Sequence, residues 1–382
     1  MFLWIWKVTG RALSTRLSSR PAAPPQKPPR EHNGRFCVTR DAGPWREVHG
    51  PDGGRMLRQR QFLITLILTM AALSLVACHV GPAASGSFDR NYAVTGPLRL
   101  EITNASGDVD ITGSADGKVH VHGAVRASGM GFGDPQKRLD ETLANPPIEQ
   151  KGDTIRIGKE MSGLRHLSIA YTIQVPHDTE VSATVASGAQ AVRGVRGPVK
   201  VQAASGSIRV EKIDRDAQLT TASGSVSAND VGDDVRISTA SGSVSVSDTK
   251  GDVRINALAG TIQVLRPGGR VEADTASGAV DIQGASKDVK AHAASGRVSV
   301  QGNPGANGYW ELKTVSGSVL LKVPASANFH LSAQAVSGEI RTDIPIMIEE
   351  QGKRVLRARM GSGGARVDVQ TVSGEIRVSG SN

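Results

Sequence analysis

The sequence predicts an all-β fold: a single-stranded β-solenoid (parallel β-helix) with coils of about 18 residues, two strands per coil and one short flanking helix. Three observations predict it. Gly188, Gly206, Gly224, Gly242, Gly260, Gly278 and Gly296 follow one another at intervals of 18 residues, each in an Ala-Ser-Gly phrase or a near variant. A fixed period of this length marks a solenoid, whose units bury a face only by stacking on their neighbours. Apolar and polar residues alternate on either side of each glycine, the period of a strand with one buried face. The chain has 44 Gly and only 3% aromatic residues, so small and β-branched side chains must do the packing.

The columns of the repeat define its cross-section. Two positions after the glycine stand Ile208, Val226, Val244, Ile262, Val280 and Val298; four after it stand Val192, Val210, Val246, Val264, Ile282 and Val300. Arg209, Ser227, Ser245, Gln263, Asp281 and Ser299 lie between them. A second strand runs through Val199, Val235, Val253, Val271 and Val289, then Val201, Leu219, Ile237, Ile255, Ala273 and Ala291. Turn residues such as Gly197, Asp233, Gly251 and Gly269 precede it. Each coil therefore reads strand, turn, strand, tight Ser-Gly corner. Glycine suits a corner that needs positive φ or close stacking of backbone on backbone. The preceding Ser187, Ser205, Ser223, Ser241, Ser277 and Ser295 form either a ligand-binding ridge or a set of corner hydrogen-bonding groups.

Regular repeats span 186–379, with Gly317 and Gly338 at intervals of 21 and Gly374 at 36. The wider spacing predicts an insertion near 344–370, an outward loop or hairpin carrying Pro345, Glu349 and Glu350. Residues 98–185 read as looser N-terminal coils. Their one helical stretch, Pro135–Ala144, caps or flanks them. Stacking at ~4.8 Å per coil gives a rod roughly 50 Å long.

Upstream lies an export signal. Met56 to Gln61 is basic, Phe62 to Ala77 is almost wholly apolar, and Cys78 follows. At ~1.5 Å per residue the apolar run spans about 24 Å, short of a ~30 Å bilayer core, which favours a cleaved signal over a permanent span. Leu75-Val76-Ala77-Cys78 resembles the lipobox of bacterial lipoproteins. That resemblance implies lipid attachment at Cys78 of the mature chain and so a membrane partner. Residues 1–55, with Trp4, Trp6 and Trp45, are expected to be a mis-assigned or disordered leader, Met56 being the true start. Residues 79–97 are small and polar and are expected to form a flexible tether.

The chemistry-bearing residues are few. Most of the formal charge of +9 sits before Cys78; after it 33 basic residues face 32 acidic ones, so no nucleic-acid partner is expected. With Cys37 and Cys78 the only cysteines, the repeat region has no disulfide framework or thiol nucleophile. In one turn column Asp216, Asp234, Asp252, Arg270 and Asp288 stand two residues before Gln218, Arg236, Arg254, Glu272 and Lys290. Where the first column switches to Arg the second switches to Glu, as a lattice of surface ion pairs requires. His120 and His122 share one face of a strand, with no third metal ligand in view. Tyr309 and Trp310 form an aromatic pair that either contacts a ligand or packs beneath the adjoining loop. Neither a cofactor nor a metal site is expected.

Leu100 to Ile111 (Leu-Glu-Ile-Thr-Asn-Ala-Ser-Gly-Asp-Val-Asp-Ile), Tyr171 to Pro176 and Thr371 to Val378 resemble the putative-adhesin family of bacterial β-strand-repeat envelope proteins. The resemblance covers about Leu98 to Val378 and implies an envelope location and a β-helical fold, with no catalytic residues to carry over. The expected function is that of a non-catalytic envelope lipoprotein, facing the periplasm or the cell surface. It would present a rigid solenoid to a polysaccharide or protein ligand, or serve envelope structure. The alternatives are a carbohydrate-active β-helix enzyme, favoured by acids converging beside Tyr309, and a self-assembling scaffold, favoured by blunt, uncapped coil ends.

Overall fold

The computed structural model describes residues 81–129, 134–158 and 167–381. Cys78, the apolar signal and residues 1–55 lie outside the described residues. Nearly every described element is a strand, and the strands form two sheets of 14 and 15. Each coil gives one strand to each sheet. Among the described residues no helix is long and apolar enough to cross a membrane.

The regular region begins with β8 (Thr179–Ser187) and β9 (Gln190–Val195) and continues with β10 (Val199–Ser205) and β11 (Ile208–Ile213). It runs to β20 (Val289–Ser295) and β21 (Val298–Gly302), even-numbered strands in the 15-stranded sheet and odd-numbered ones in the other. Pairing is parallel and shifted by one repeat, so that Val199 opposes Ala217 and Ala217 opposes Val235. The predicted columns therefore become rows of touching side chains. Ile208, Val226, Val244 and Ile262 from one sheet, and Val235, Val253 and Val271 from the other, are all buried. Burying each is worth about 1.5–3 kcal/mol relative to exposure, which offsets the ordering of a chain poor in aromatics.

Two backbone features set the coil length. The seven corner glycines adopt φ between +125° and +142°. Their N–H groups bond the carbonyl of the residue before the next coil's glycine, as from Gly206 to Ser223 at 3.0 Å and from Gly242 to Ala259 at 3.2 Å. The serine side chains themselves are exposed, so the corner bonding is done by the main chain. At the far end of the other strand, Gly194, Lys212, Asp230, Asp248, Arg266 and Gly284 form a second left-handed column, the four non-glycines at φ +48° to +56°. This column shifts the in–out alternation by one residue and turns Val195, Ile213 and Val231 back into the core. Several inward positions are polar, among them Asn104, Thr221, Thr239 and Thr275. Gln190 occupies the column of Ile208 and is 3% exposed, with neither amide atom partnered among the described residues.

The ends of the stack are not in chain order. Strands β2 (Leu98–Ser106) and β3 (Val109–Ser114) make the first coil in sequence. They lie between β8 and β9 on one side and β6 (Thr154–Ile157) and β7 (Leu167–Pro176) on the other. At the opposite end are β22 (Tyr309–Ser316), β23 (Val319–Val323), β24 (Phe329–Ser337) and β25 (Ile340–Thr342). The last coil, β28 (Ala365–Ser373) and β29 (Ile376–Gly380), slots between the coil of β22 and the coil of β24. Antiparallel strands cover both sheets at the first end and the 15-stranded sheet at the other, where β25 edges the 14-stranded one. β4 (Lys118–Gly129) pairs with β7 and with β1 (Gly81–Ala93), and β5 (Ile148–Lys151) pairs with β6. The insertion near 344–370 is a hairpin of β26 (Met347–Gln351) and β27 (Val355–Met360). It does not project outward; β27 pairs with β24 and prolongs the sheet.

One expectation is overturned at the start. Within the stretch expected to be a tether, Gly81–Ala93 instead forms β1, which pairs with β4 from Ala84↔Ala127 to Ala93↔Lys118. Small polar composition concealed an edge strand whose Phe88 is 4% exposed and meets Tyr171 edge to face at 6.4 Å. The helix α1 (Pro135–Ala144) flanks this end as expected. Pro135 opens it, Asp134 caps it by accepting the Gln136 N–H at 2.9 Å, and Leu139 is buried.

Candidate functional site

The predicted lattice of charges forms on the turn side of the 15-stranded sheet. Arg254 Nε donates to Glu272 at 2.8 Å and Arg270 Nη2 to Asp288 at 3.0 Å, both between neighbouring coils. Arg236 instead bonds Asp234 of its own coil at 2.8 Å. The aspartates have a further task that the sequence did not reveal. Asp234 accepts the backbone N–H of Asp252, Asp252 that of Arg270, and Asp288 that of Tyr309, at 2.8–3.0 Å. A carboxylate ladder thus satisfies main-chain donors at the turns, where the strand ladder is interrupted.

The aromatic pair is split by the pleat. Trp310 opposes Val289 in the inward column and is wholly buried, its indole N–H donating to the Lys287 carbonyl at 2.7 Å. Ligand contact by Trp310 is therefore corrected: the indole lies in the core. Tyr309 faces outward, with the Arg366 guanidinium 5.9 Å from its ring centroid. Burial first, then the nearby Glu311 and Asp368 carboxylates, push its phenol up. Acids do gather here, but each has a cation. Asp368 binds Arg366 at 2.9 Å and Glu311 binds Lys313, which holds the Glu311 carboxyl below the usual range.

His120 and His122 lie on the outward face of β4, and their rings are taken by β1. His120 Nδ1 bonds Asn91 at 2.7 Å and His122 Nδ1 bonds Asp89 at 2.8 Å. Among the described residues no group of three metal-ligating side chains comes together.

Next to the Tyr309 cluster lies a surface that no sequence motif announced. Two residues before each corner glycine, on the outward face, most coils carry alanine: Ala204, Ala222, Ala240, Ala276, Ala294. In the last three coils the column becomes Val315, Val372 and Val336, 55%, 48% and 57% exposed. The insertion of β28 between β22 and β24 makes these valines neighbours, in that order. They edge an open groove of about 470 Å³ whose other side carries Lys313, Gln370 and Gln334. An apolar ledge beside a row of amides and a cation can seat an amphipathic ligand. The signal was present in the change from Ala-Ser-Gly to Val-Ser-Gly after Gly296, but only the coil order joins the three.

Residues 167–379, more than half of the chain, match the family described as Toastrack DUF4097. The chain belongs to the Toastrack family. No curated protein matches this Toastrack chain. Among solved structures, a "putative cell adhesion protein" of Clostridium sporogenes ATCC 15579 aligns over 78% of this chain and 100% of its own, with 12% identity and a TM-score of 0.20. A "putative adhesin" of Bacteroides fragilis NCTC 9343 aligns over 78% and 97%, with 13% identity and a TM-score of 0.26. Another from Parabacteroides distasonis ATCC 8503 aligns over 79% and 98%, with 12% identity and a TM-score of 0.28.

Proposed function

We propose that this Toastrack protein is a non-catalytic lipoprotein of the bacterial cell envelope, anchored through Cys78, that presents a rigid solenoid for binding. The observation that carries the reading is the ledge of Val315, Val372 and Val336 over its groove. Single exposed apolar residues are ordinary on a monomer, whereas adjacent ones on a rigid concave surface mark contact with a partner. A polysaccharide or protein surface is the partner class, and adhesion or envelope structure the role. The state of Glu311 supports the non-catalytic part. Of the two carboxyls a sugar-cleaving pair needs, the proton donor has its pKa raised, and Lys313 lowers that of Glu311 instead. The antiparallel strands that cover both sheets at the β1 end and the 15-stranded sheet at the other weigh against coil-on-coil filaments.

Protease shaving of intact cells, with mass spectrometry of the released peptides and of the Cys78 terminus, tests the reading. Solenoid peptides from unbroken cells, with lipid on Cys78, are the expected result. Full protection would overturn adhesion and leave a periplasmic binding role. An unmodified Cys78 would overturn the anchor.

A further inference from the structure

We infer that the β1 end of the solenoid docks directly on the phospholipid surface, with no tether between body and bilayer. The inference rests on the lipid anchor proposed for Cys78. Strand β1 begins at Gly81, so only His79 and Val80 separate it from that cysteine. Three Cα–Cα steps reach at most about 11 Å.

The connection cannot be lengthened cheaply by peeling β1 away. The strand is paired with β4 from Ala84 to Ala93, and Phe88 is packed against Tyr171. At Gly123 of β4 the Phe88 ring fills the place of a side chain, since a β-carbon there would lie 2.2 Å from it. At Gly86 the leucines of α1 close over the strand, Leu143 lying 2.8 Å from where a β-carbon would stand. His120 and His122 then bond Asn91 and Asp89 across the ladder. β1 is part of the folded body. Arg126, exposed and paired opposite Ser85, lies beside the start of the strand and so close to the proposed anchor. The opposite end, with the valine ledge, is held no more than about one rod length, roughly 50 Å, from the membrane.

Energy transfer to headgroup-labelled lipids tests this on the full lipidated chain in phosphatidylcholine vesicles. No cysteine follows Cys78, so a donor on Arg126→Cys is unique once Cys78 carries lipid. A second protein carries about twenty Gly/Ser residues inserted between Val80 and Gly81, adding a reach of about 25 Å. The expected result is strong transfer that falls at least twofold on insertion. Weak transfer that the insertion barely changes would overturn direct docking, because a chain already tethered by some twenty residues gains little from twenty more. Strong transfer that the insertion leaves unchanged would also overturn it, since the short connection would not be setting the distance. Mass spectrometry of the same samples separates these results from loss of the anchor: a free thiol at Cys78 sinks the lipoprotein reading itself.

Discussion

The carbonyl oxygen of Gly224 lies 2.0 Å from the point that a β-carbon on Gly242 would occupy. Equivalent contacts run from corner to corner along the stack, so the glycine is demanded twice, by φ +135° and by its neighbour's backbone. Gly242→Ala is expected to destabilise the solenoid by at least about 2 kcal/mol. Gly117→Ala supplies the comparison. It also has positive φ, but nothing lies within 4 Å of its β-carbon position, and its cost should stay near 1 kcal/mol. Denaturant midpoints of the two variants check the difference. Equal losses would mean that stacking contributes nothing beyond the dihedral.

Gln190 should be improvable. Replacing it with Val restores the apolar column of Ile208 and removes a buried amide that lacks partners. Gln190→Val is expected to stabilise by about 1–2 kcal/mol. A fall in the thermal midpoint would show that the amide is satisfied in solution.

Trp310 and Tyr309 separate packing from surface. Trp310→Ala removes a wholly buried indole and its bond to Lys287 and should cost about 3–5 kcal/mol. Tyr309→Phe should stay within about 1 kcal/mol of the parent, as it removes one hydroxyl from a partly exposed ring. Near-parent stability of the tryptophan variant in a urea titration would return Trp310 to the surface.

Acid should weaken the fold in a definite window. Hydrogen bonds from Lys313 to Glu311 and from Arg254 to Glu272 lower both carboxyl pKa values from the ordinary 4.5. A group depressed in the folded state contributes stability above its unfolded pKa and loses it as pH falls through the folded one. Stability should therefore decline below about pH 4.5. Glu311→Gln should decline less steeply between about pH 5 and pH 3. Parallel curves for variant and parent would remove Glu311 from the account.

Period and alternation made the coil legible because one physical unit, strand–corner–strand, is written out repeatedly in the same letters. Coil order was hidden for the same reason. Gly317, Gly338 and Gly374 sit in near-identical Val-Ser-Gly phrases, so each corner fits any neighbour, and nothing local says that the last coil enters between the other two. Trp310 could have been placed from the sequence. It precedes Gly317 by as many residues as Val289 precedes Gly296, which assigns it to the inward column. Strand β1 was missed because Gly, Ala and Ser read as linker, and the antiparallel partner that gives them a ladder begins beyond Gly117. The left-handed column at Lys212, Asp230, Asp248 and Arg266 left no mark, since only Gly194 and Gly284 carry the residue expected there.

The placing of β28 and β29 bears on what happens under load. A body fixed at one end and gripped at the other is pulled, and a simple stack gives way by peeling coils from its free end, one ladder at a time. Here the chain's last coil is clasped on both faces, by β22 and β23 below and by β24 and β25 above. Drawing it out must break two ladders together, and while it stays it staples the outer coil to the rest. Force on the far end is thereby shared across several coils before any one unravels.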